Sequence, residues 1–310
     1  MKILVTGGAG FIGSHVVDAY VAEGHDVTVL DDLSTGRRDN VHPRAEFVQM
    51  DIRDETLSEV FGKRSFDVVN HLAAQMQVSY SVREPRHDMD INVRGTMNIL
   101  EAARTSGVQR IIFASSAGTV YGHQNVESCD EDQPKHPLSP YGAAKLSIEH
   151  YLYAYAACYG MKSLALRYGN VYGPRQNPHG EAGVVAIFLR KMLSGQQPII
   201  NGSGTQTRDY IYIDDVVRAN IRALHSDYTG AVNVTTDRET SVLEIVDALE
   251  ASTQLPCARV HRPALPGEPM RGRYNNARAR RELGWHPQVT LNEGIERTVA
   301  WERERGKSTQ

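Results

Sequence analysis

Short apolar runs alternate with longer amphipathic stretches over the first half of the chain. Residues 2–6 are almost continuously apolar, the pattern of a strand buried on both faces. A glycine turn follows, then helical spacing over residues 11–23. Residues 26–30 read as a second strand, closed by Asp31-Asp32. Further strand-length runs fall at 45–50, 67–71, 110–114 and 162–167. Helical patterns separate them, most clearly over 88–105 and 141–159, and Ser139-Pro140 suits the start of the latter. This alternation predicts an α/β fold with a doubly wound parallel sheet of the Rossmann type, joined by right-handed crossovers.

The rhythm changes after Arg167. Gly173-Pro174, Asn177-Pro178 and Gly180 mark an irregular loop, and residues 183–193 read as a helix. Residues 201–207 form a polar, glycine-rich turn. Two later helices open on capping boxes, Ser241-x-x-Glu244 and Thr290-x-x-Glu293. The expected organisation is a dinucleotide-binding domain over 1–170, to which 208–235 returns. A smaller interleaved C-terminal lobe, 171–207 with 236–310, is left for the substrate.

Composition narrows the classes. A net charge of -3 over 310 residues gives no global field to attract nucleic acid. The Arg-rich stretch 259–281 reads as a solvated face. Three cysteines and twelve scattered histidines signal neither a disulfide framework nor a metal site. Asn201 and Asn233 open sequons that read as chance matches. No apolar run approaches the ~18 residues of a membrane span. The expectation is a soluble cytoplasmic protein without nucleic-acid or membrane partners.

Gly7, Gly10 and Gly13 stand where the first strand turns into the first helix. Such a turn lets backbone approach a diphosphate, and the helix start offers free N–H groups and partial positive charge. Asp31, at the end of the second strand, is placed to accept hydrogen bonds from an adenosine 2′-OH. It would repel a 2′-phosphate, so NAD is the expected cofactor. Asp51-Ile52, after the third strand, would flank the adenine.

Tyr141 and Lys145 lie one helical turn apart on one face. A phenol with a reference pKa of ~10 is a poor base at neutral pH. A neighbouring ammonium and an oxidised nicotinamide would both favour phenolate. Ser115-Ser116 end the preceding strand nearby. Hydride loss to the cofactor and proton loss to Tyr141 together make an oxidation of a carbinol.

With these motifs in place, the chain resembles an extended short-chain dehydrogenase/reductase, most similar to the UDP-glucose 4-epimerase branch of nucleotide-sugar enzymes. The resemblance runs over nearly the whole length. It is carried by the opening from Thr6 to Gly13, by Asp31-Asp32-Leu33-Ser34-Thr35-Gly36, by His71-Leu72-Ala73-Ala74 and by Asn92-Val93-x-Gly95-Thr96. Ser139-Pro140-Tyr141-Gly142, Arg167-Tyr168-x-Asn170-Val171-Tyr172-Gly173-Pro174-Arg175 and Arg208-Asp209-Tyr210-Ile211 complete it. It implies cofactor contacts from Phe11, Ile12, Asp32, Ser34, Thr35, Gly36, Leu72, Ala73, Ala74, Gln75, Asn92, Ser115, Tyr168 and Val171. Asn170, Arg208 and Arg271 become the diphosphate ligands, the last within Pro266-Gly267-Glu268-x-x-Arg271. The turn around Ile199 and Asn201 would frame the base, Arg175 would brace its loop, and Gly272 would leave room beside the sugar.

One departure stands out. The family usually carries Ser or Thr four residues before the Tyr of a Tyr-Gly step, and Ala117 occupies that place before Tyr121. Thr119, or else Ser116, is expected to supply the missing hydroxyl. The resemblance implies 4-epimerisation of a UDP-hexose through a 4-keto intermediate, by a homodimer using NAD. UDP-glucuronate and UDP-N-acetylglucosamine 4-epimerases are alternatives, a UDP-glucuronate decarboxylase a more distant one. A nucleotide-sensing module on an enzyme scaffold is the alternative outside enzymes.

Overall fold

The computed structural model describes residues 1–178, 183–264 and 270–308. Gly180 and the Pro266-Gly267-Glu268 step lie outside the described residues. Six parallel strands come from the first half: β1 (Lys2–Thr6), β2 (Asp26–Asp31), β3 (Glu46–Gln49), β4 (Val68–His71), β5 (Arg110–Ser116) and β6 (Lys162–Tyr168). Gly230–Val234 adds a seventh beside β6. The order from that edge is Gly230–Val234, β6, β5, β4, β1, β2, β3. Order reverses between β1 and β4, which opens a crevice beyond the strands' C-terminal ends.

Both faces of the sheet are covered, so its inner strands are largely apolar, with buried polar residues such as Asn70 and Arg167 among them. Ile3 and Val5 point into one cluster with Val16, Val17 and Ala219, from the helices Phe11–Ala22 and Ile213–His225. Leu4 points into the other with Phe61, Leu100 and Ile148, from Leu57–Arg64, Thr96–Thr105 and Pro140–Tyr159. Each such side chain, fully buried, contributes roughly 1.5–3 kcal/mol.

Two helices shape the crevice. Ser139 Oγ accepts from Gly142 N at 3.1 Å and Pro140 fills the first position, so Pro140–Tyr159 starts where its cap dictates. Gly142 allows that start to rest on the preceding turn, since a Cβ there would lie 2.5 Å from Thr119 O. The helical run before it begins at Pro85, ahead of the expected 88, and ends at Thr105. It widens to a π-helical turn over Asp90–Gly95, which carries Asn92.

The later half is built from small ladders. Asn170–Tyr172 pairs with Tyr210–Tyr212, Thr207–Arg208 with Thr240–Ser241, and Ile199–Asn201 with Val260–Arg262. Buried carboxylates fasten the connecting loops to helices and strands. Asp209 accepts from the N–H groups of Thr236 (2.7 Å) and Asp237 (3.0 Å). Asp215 accepts from those of Gln288 (2.7 Å) and Val289 (3.1 Å). The Ser241 capping box is complete. At Thr290 the hydroxyl accepts from Glu293 N at 3.4 Å, while the Glu293 carboxylate goes to Arg297. Cys129, Cys158 and Cys257 are free thiols. No helix among the described residues is long and apolar enough to cross a membrane.

Candidate active site

A cavity of about 1350 Å³ runs from the end of β2, past the glycine turn, to the start of Pro140–Tyr159. That exceeds the ~300–1,000 Å³ of single-ligand clefts and is room for two ligands end to end. At the glycine turn Gly7 takes φ +69°, and a Cβ there would strike Ala73 N at 2.7 Å. Gly10, Phe11 and Ile12 line the cavity, and Gly10 caps the helix with no side chain over its free amides. The helix start is thus open to an anion.

Asp31 and Asp32 line the far end with Ser34 and Thr35. Asp31 is buried and accepts from Ala9 N (3.0 Å) and Leu33 N (2.9 Å), which ties the glycine turn to the next loop. Its oxygens keep lone pairs for one more donor. Asp32 is exposed and holds Ser34 through its backbone N–H and hydroxyl. Asp51, Ile52, Leu72, Ala73 and Ala74 line the same wall. An arginine-held acid at Asp51 (Arg53 Nε at 3.0 Å) stays ionised, its pKa lowered first by that hydrogen bond.

Three residues expected at the cofactor stand behind the lining. Gly36 packs on the back of Asp31 and Ala9. Gln75 and Asn92 bond each other, Gln75 N to Asn92 Oδ1 at 2.9 Å and Asn92 Nδ2 to Gln75 O at 2.9 Å. Their amides are used up in fixing the loop after β4. The hydroxyls of two lining residues also turn away: Ser115 Oγ donates to Glu149 at 2.6 Å, and the Tyr168 hydroxyl meets Asn220. These side chains give the crevice shape and supply no free donor to it.

Tyr141, Lys145, Ser116 and Thr119 meet at the near end. Lys145 Nζ is buried, donates to Ala114 O at 2.9 Å and sits 5.6 Å from the Tyr141 ring centre. Burial brings its pKa down to about 8, with Asp88 and Glu149 opposing. The Tyr141 hydroxyl departs from the expected downward shift. Burial pushes it above 10, and the nearby charge that bears on it is Asp88, not Lys145. Thr119 Oγ1 is buried with no hydrogen-bond partner and lines the cavity. Ala117 is fully buried in a cluster with Val120, Tyr121, Cys129 and Tyr274, so a hydroxyl is not missed there.

Asp88 was not singled out by the sequence. It is wholly buried; Oδ1 accepts from Gln75 Nε2 (2.7 Å) and Asn92 Nδ2 (3.0 Å), and Oδ2 has no partner. Its helical spacing to Asn92 was the available signal.

On the other wall, Asn170, Val171, Arg175, Arg208 and Arg271 reach the cavity. Arg175 faces Asp18 at 2.8 Å, joining its loop to the first helix. Arg271 is exposed and pairs with Glu239 at 2.5 Å. Ile199 and Asn201 do not line the cavity, because their strand is zipped to Val260–Arg262 and the Asn201 amide is held by Arg262. Nor does Gly272, whose Cβ position faces Tyr274 Oη at 3.3 Å. Tyr274, two residues on, reaches the cavity as Arg271 does, stacked on Tyr121.

The open helix start, the acids at one end and the buried lysine at the other fit a dinucleotide laid along the crevice. Comparison with known proteins agrees. The sequence profile of the NAD dependent epimerase/dehydratase family matches residues 3–235. A UDP-glucose 4-epimerase of Mycolicibacterium smegmatis is 44% identical over 99% of this chain and 100% of its own. The crystal structure of a UDP-glucose 4-epimerase with UDP-glucose, from Thermotoga maritima, superposes with a TM-score of 0.97 at 44% identity, covering 98% of this chain and 99% of that one. The UDP-glucose 4-epimerase of Thermus thermophilus, in complex with NAD, gives 0.93 at 42% identity, covering 98% and 99%. The chain described here belongs to the NAD-dependent epimerase/dehydratase family, and its cofactor is NAD.

Proposed function

We propose that the protein interconverts UDP-glucose and UDP-galactose by epimerisation at C4. The observation that carries this is the meeting of Tyr141, Lys145 and the unpartnered Thr119 hydroxyl in the crevice that begins at the glycine turn. NAD, held along the glycine turn and Asp31, would supply the hydride acceptor and donor at C4, so that no net oxidation results. Tyr141 Oη takes the proton of the 4-OH, and Thr119 Oγ1 holds the O4 atom between the two half-reactions. Lys145, tethered to Ala114 O, keeps a positive charge beside the phenol. Arg208, Arg271 and Asn170 anchor the diphosphate on the opposite wall. With binding energy placed on that remote anchor, the 4-keto ring turns without escaping. Proton transfer of this kind is worth factors of ~10²–10⁴.

The lobe 171–207 with 236–310 is then the nucleotide-sugar side. A second copy would cover the two adjacent helices that leave Met89, Tyr151, Tyr153 and Tyr159 exposed, Tyr153 at 77%. Three unpaired thiols suit the reducing cytoplasm. Incubating the protein with UDP-galactose, UDP-glucuronate and UDP-N-acetylglucosamine in turn, with chromatography of products, tests the reaction and the sugar. Tyr141→Phe should lose turnover by ~10²-fold or more while NAD stays bound. Near-normal turnover in that variant would remove Tyr141 as the base.

A further inference from the structure

Away from the crevice, one set of metal-ligating side chains converges among the described residues: Glu23, His25 and His225. One ligand atom of each lies within 4.8 Å of the others. Glu23 Oε2 is 3.4 Å from His25 Nε2 and 3.6 Å from His225 Nε2. A tetrahedral zinc ion with bonds near 2.1 Å spaces its ligand atoms about 3.4 Å apart. The two spacings to Glu23 match that value, and the two imidazole nitrogens lie within 4.8 Å of each other. His25 Nε2 is buried against the Glu23 carboxylate and makes no hydrogen bond of good geometry. The two imidazoles stand 6.2 Å apart between ring centres.

We propose that Glu23, His25 and His225 bind a divalent transition-metal ion of borderline softness, best matched by Zn²⁺. Two nitrogens and one carboxylate suit such an ion and disfavour Mg²⁺. The fourth position stays open to water. None of the three residues lines the crevice, so the ion is a clip and takes no part in the reaction. It joins the end of Phe11–Ala22 to the end of Ile213–His225, two helices packed together but distant in sequence. An ion that binds only the folded chain stabilises it by mass action.

The test uses the full chain, freed of any affinity tag and stripped with chelator, in calorimetric titration with ZnCl₂ and in thermal unfolding. One Zn²⁺ per chain is expected, with Tm rising as zinc is added, no such rise with MgCl₂, and turnover of UDP-galactose unchanged. His225 is more than half exposed, so His225→Ala should fold; it should weaken zinc binding by more than the roughly ten-fold that outer partners alone are worth. Glu23→Gln should do the same, and His261→Ala, an exposed histidine elsewhere, should change nothing. Zinc binding equally well in His225→Ala and Glu23→Gln would overturn the proposal. So would a Tm that does not move at saturating zinc.

Discussion

The two walls of the crevice are made differently. The cofactor wall grows from the ends of sheet strands, and its key groups are backbone amides and deeply buried side chains. The opposite wall is assembled from ladders of two or three residues, and its Arg271 sits exposed in an ion pair with Glu239. A buried, hydrogen-bonded wall resists change because each lost partner leaves an uncompensated group. An exposed wall gives up little when one contact is cut. The first wall suits fixing two reacting atoms; the second suits holding a diphosphate while the sugar beyond it turns.

The largest effect that would break this contrast lies beneath the helix that carries Tyr141. Arg167 donates to Glu149 and to the Tyr121 hydroxyl, nearly all out of water, and Glu149 also holds Ser115. Arg167→Met should cost about 3–5 kcal/mol of stability, because Glu149 is left buried and unpaired; chemical denaturation measures it. A loss under 1 kcal/mol would mean that this wall is no stiffer than the other.

Thr119→Val comes next. In the proposed reaction it would remove one hydrogen bond to a developing charge, ~1.5–3 kcal/mol, or roughly ten- to hundred-fold in kcat. Ser116→Ala should change kcat less. If the order were reversed, Ser116 would be the hydroxyl that replaces the one absent at Ala117.

Lys145→Met separates activity from stability. The folded pKa of Lys145, about 8, lies below its ordinary 10.5. Between those values the unfolded chain binds more protons than the folded one, so parent stability rises with pH there. The variant should lose turnover, yet be favoured relative to the parent below pH 8, with the advantage fading towards 10.5. Thermal unfolding across that window gives the sign, and an advantage growing with pH would contradict a buried ammonium.

Arg271→Ala should be the mildest, raising KM a few-fold with kcat held, since an exposed ion pair is worth ~0.2–1 kcal/mol. A large fall in kcat would make the outer wall part of the chemistry.

Much of the cofactor wall was legible because its signals are local. Residues Gly7 to Gly13 and Asp31 to Gly36 are contiguous, and a strand-to-helix turn has one geometry. Tyr141 and Lys145 share a helix face by spacing alone. Asp88, Tyr274 and the role of Thr119 were harder, for burial and an unpartnered oxygen are properties of packing. Ile199 and Asn201 stand off the cavity lining, paired with Val260–Arg262 far along the chain.

Periodicity and turn chemistry determined the sheet, its helices, the phosphate-type turn and the phenol–ammonium pair, since each depends on residues within a few positions of one another. Tertiary structure alone decided that Asp88 is buried against Gln75 and Asn92, that the buried Thr119 hydroxyl has no partner, and that Glu23 and His25 meet His225. Those outcomes depend on which distant segments exclude water from one another, and no local spacing encodes that.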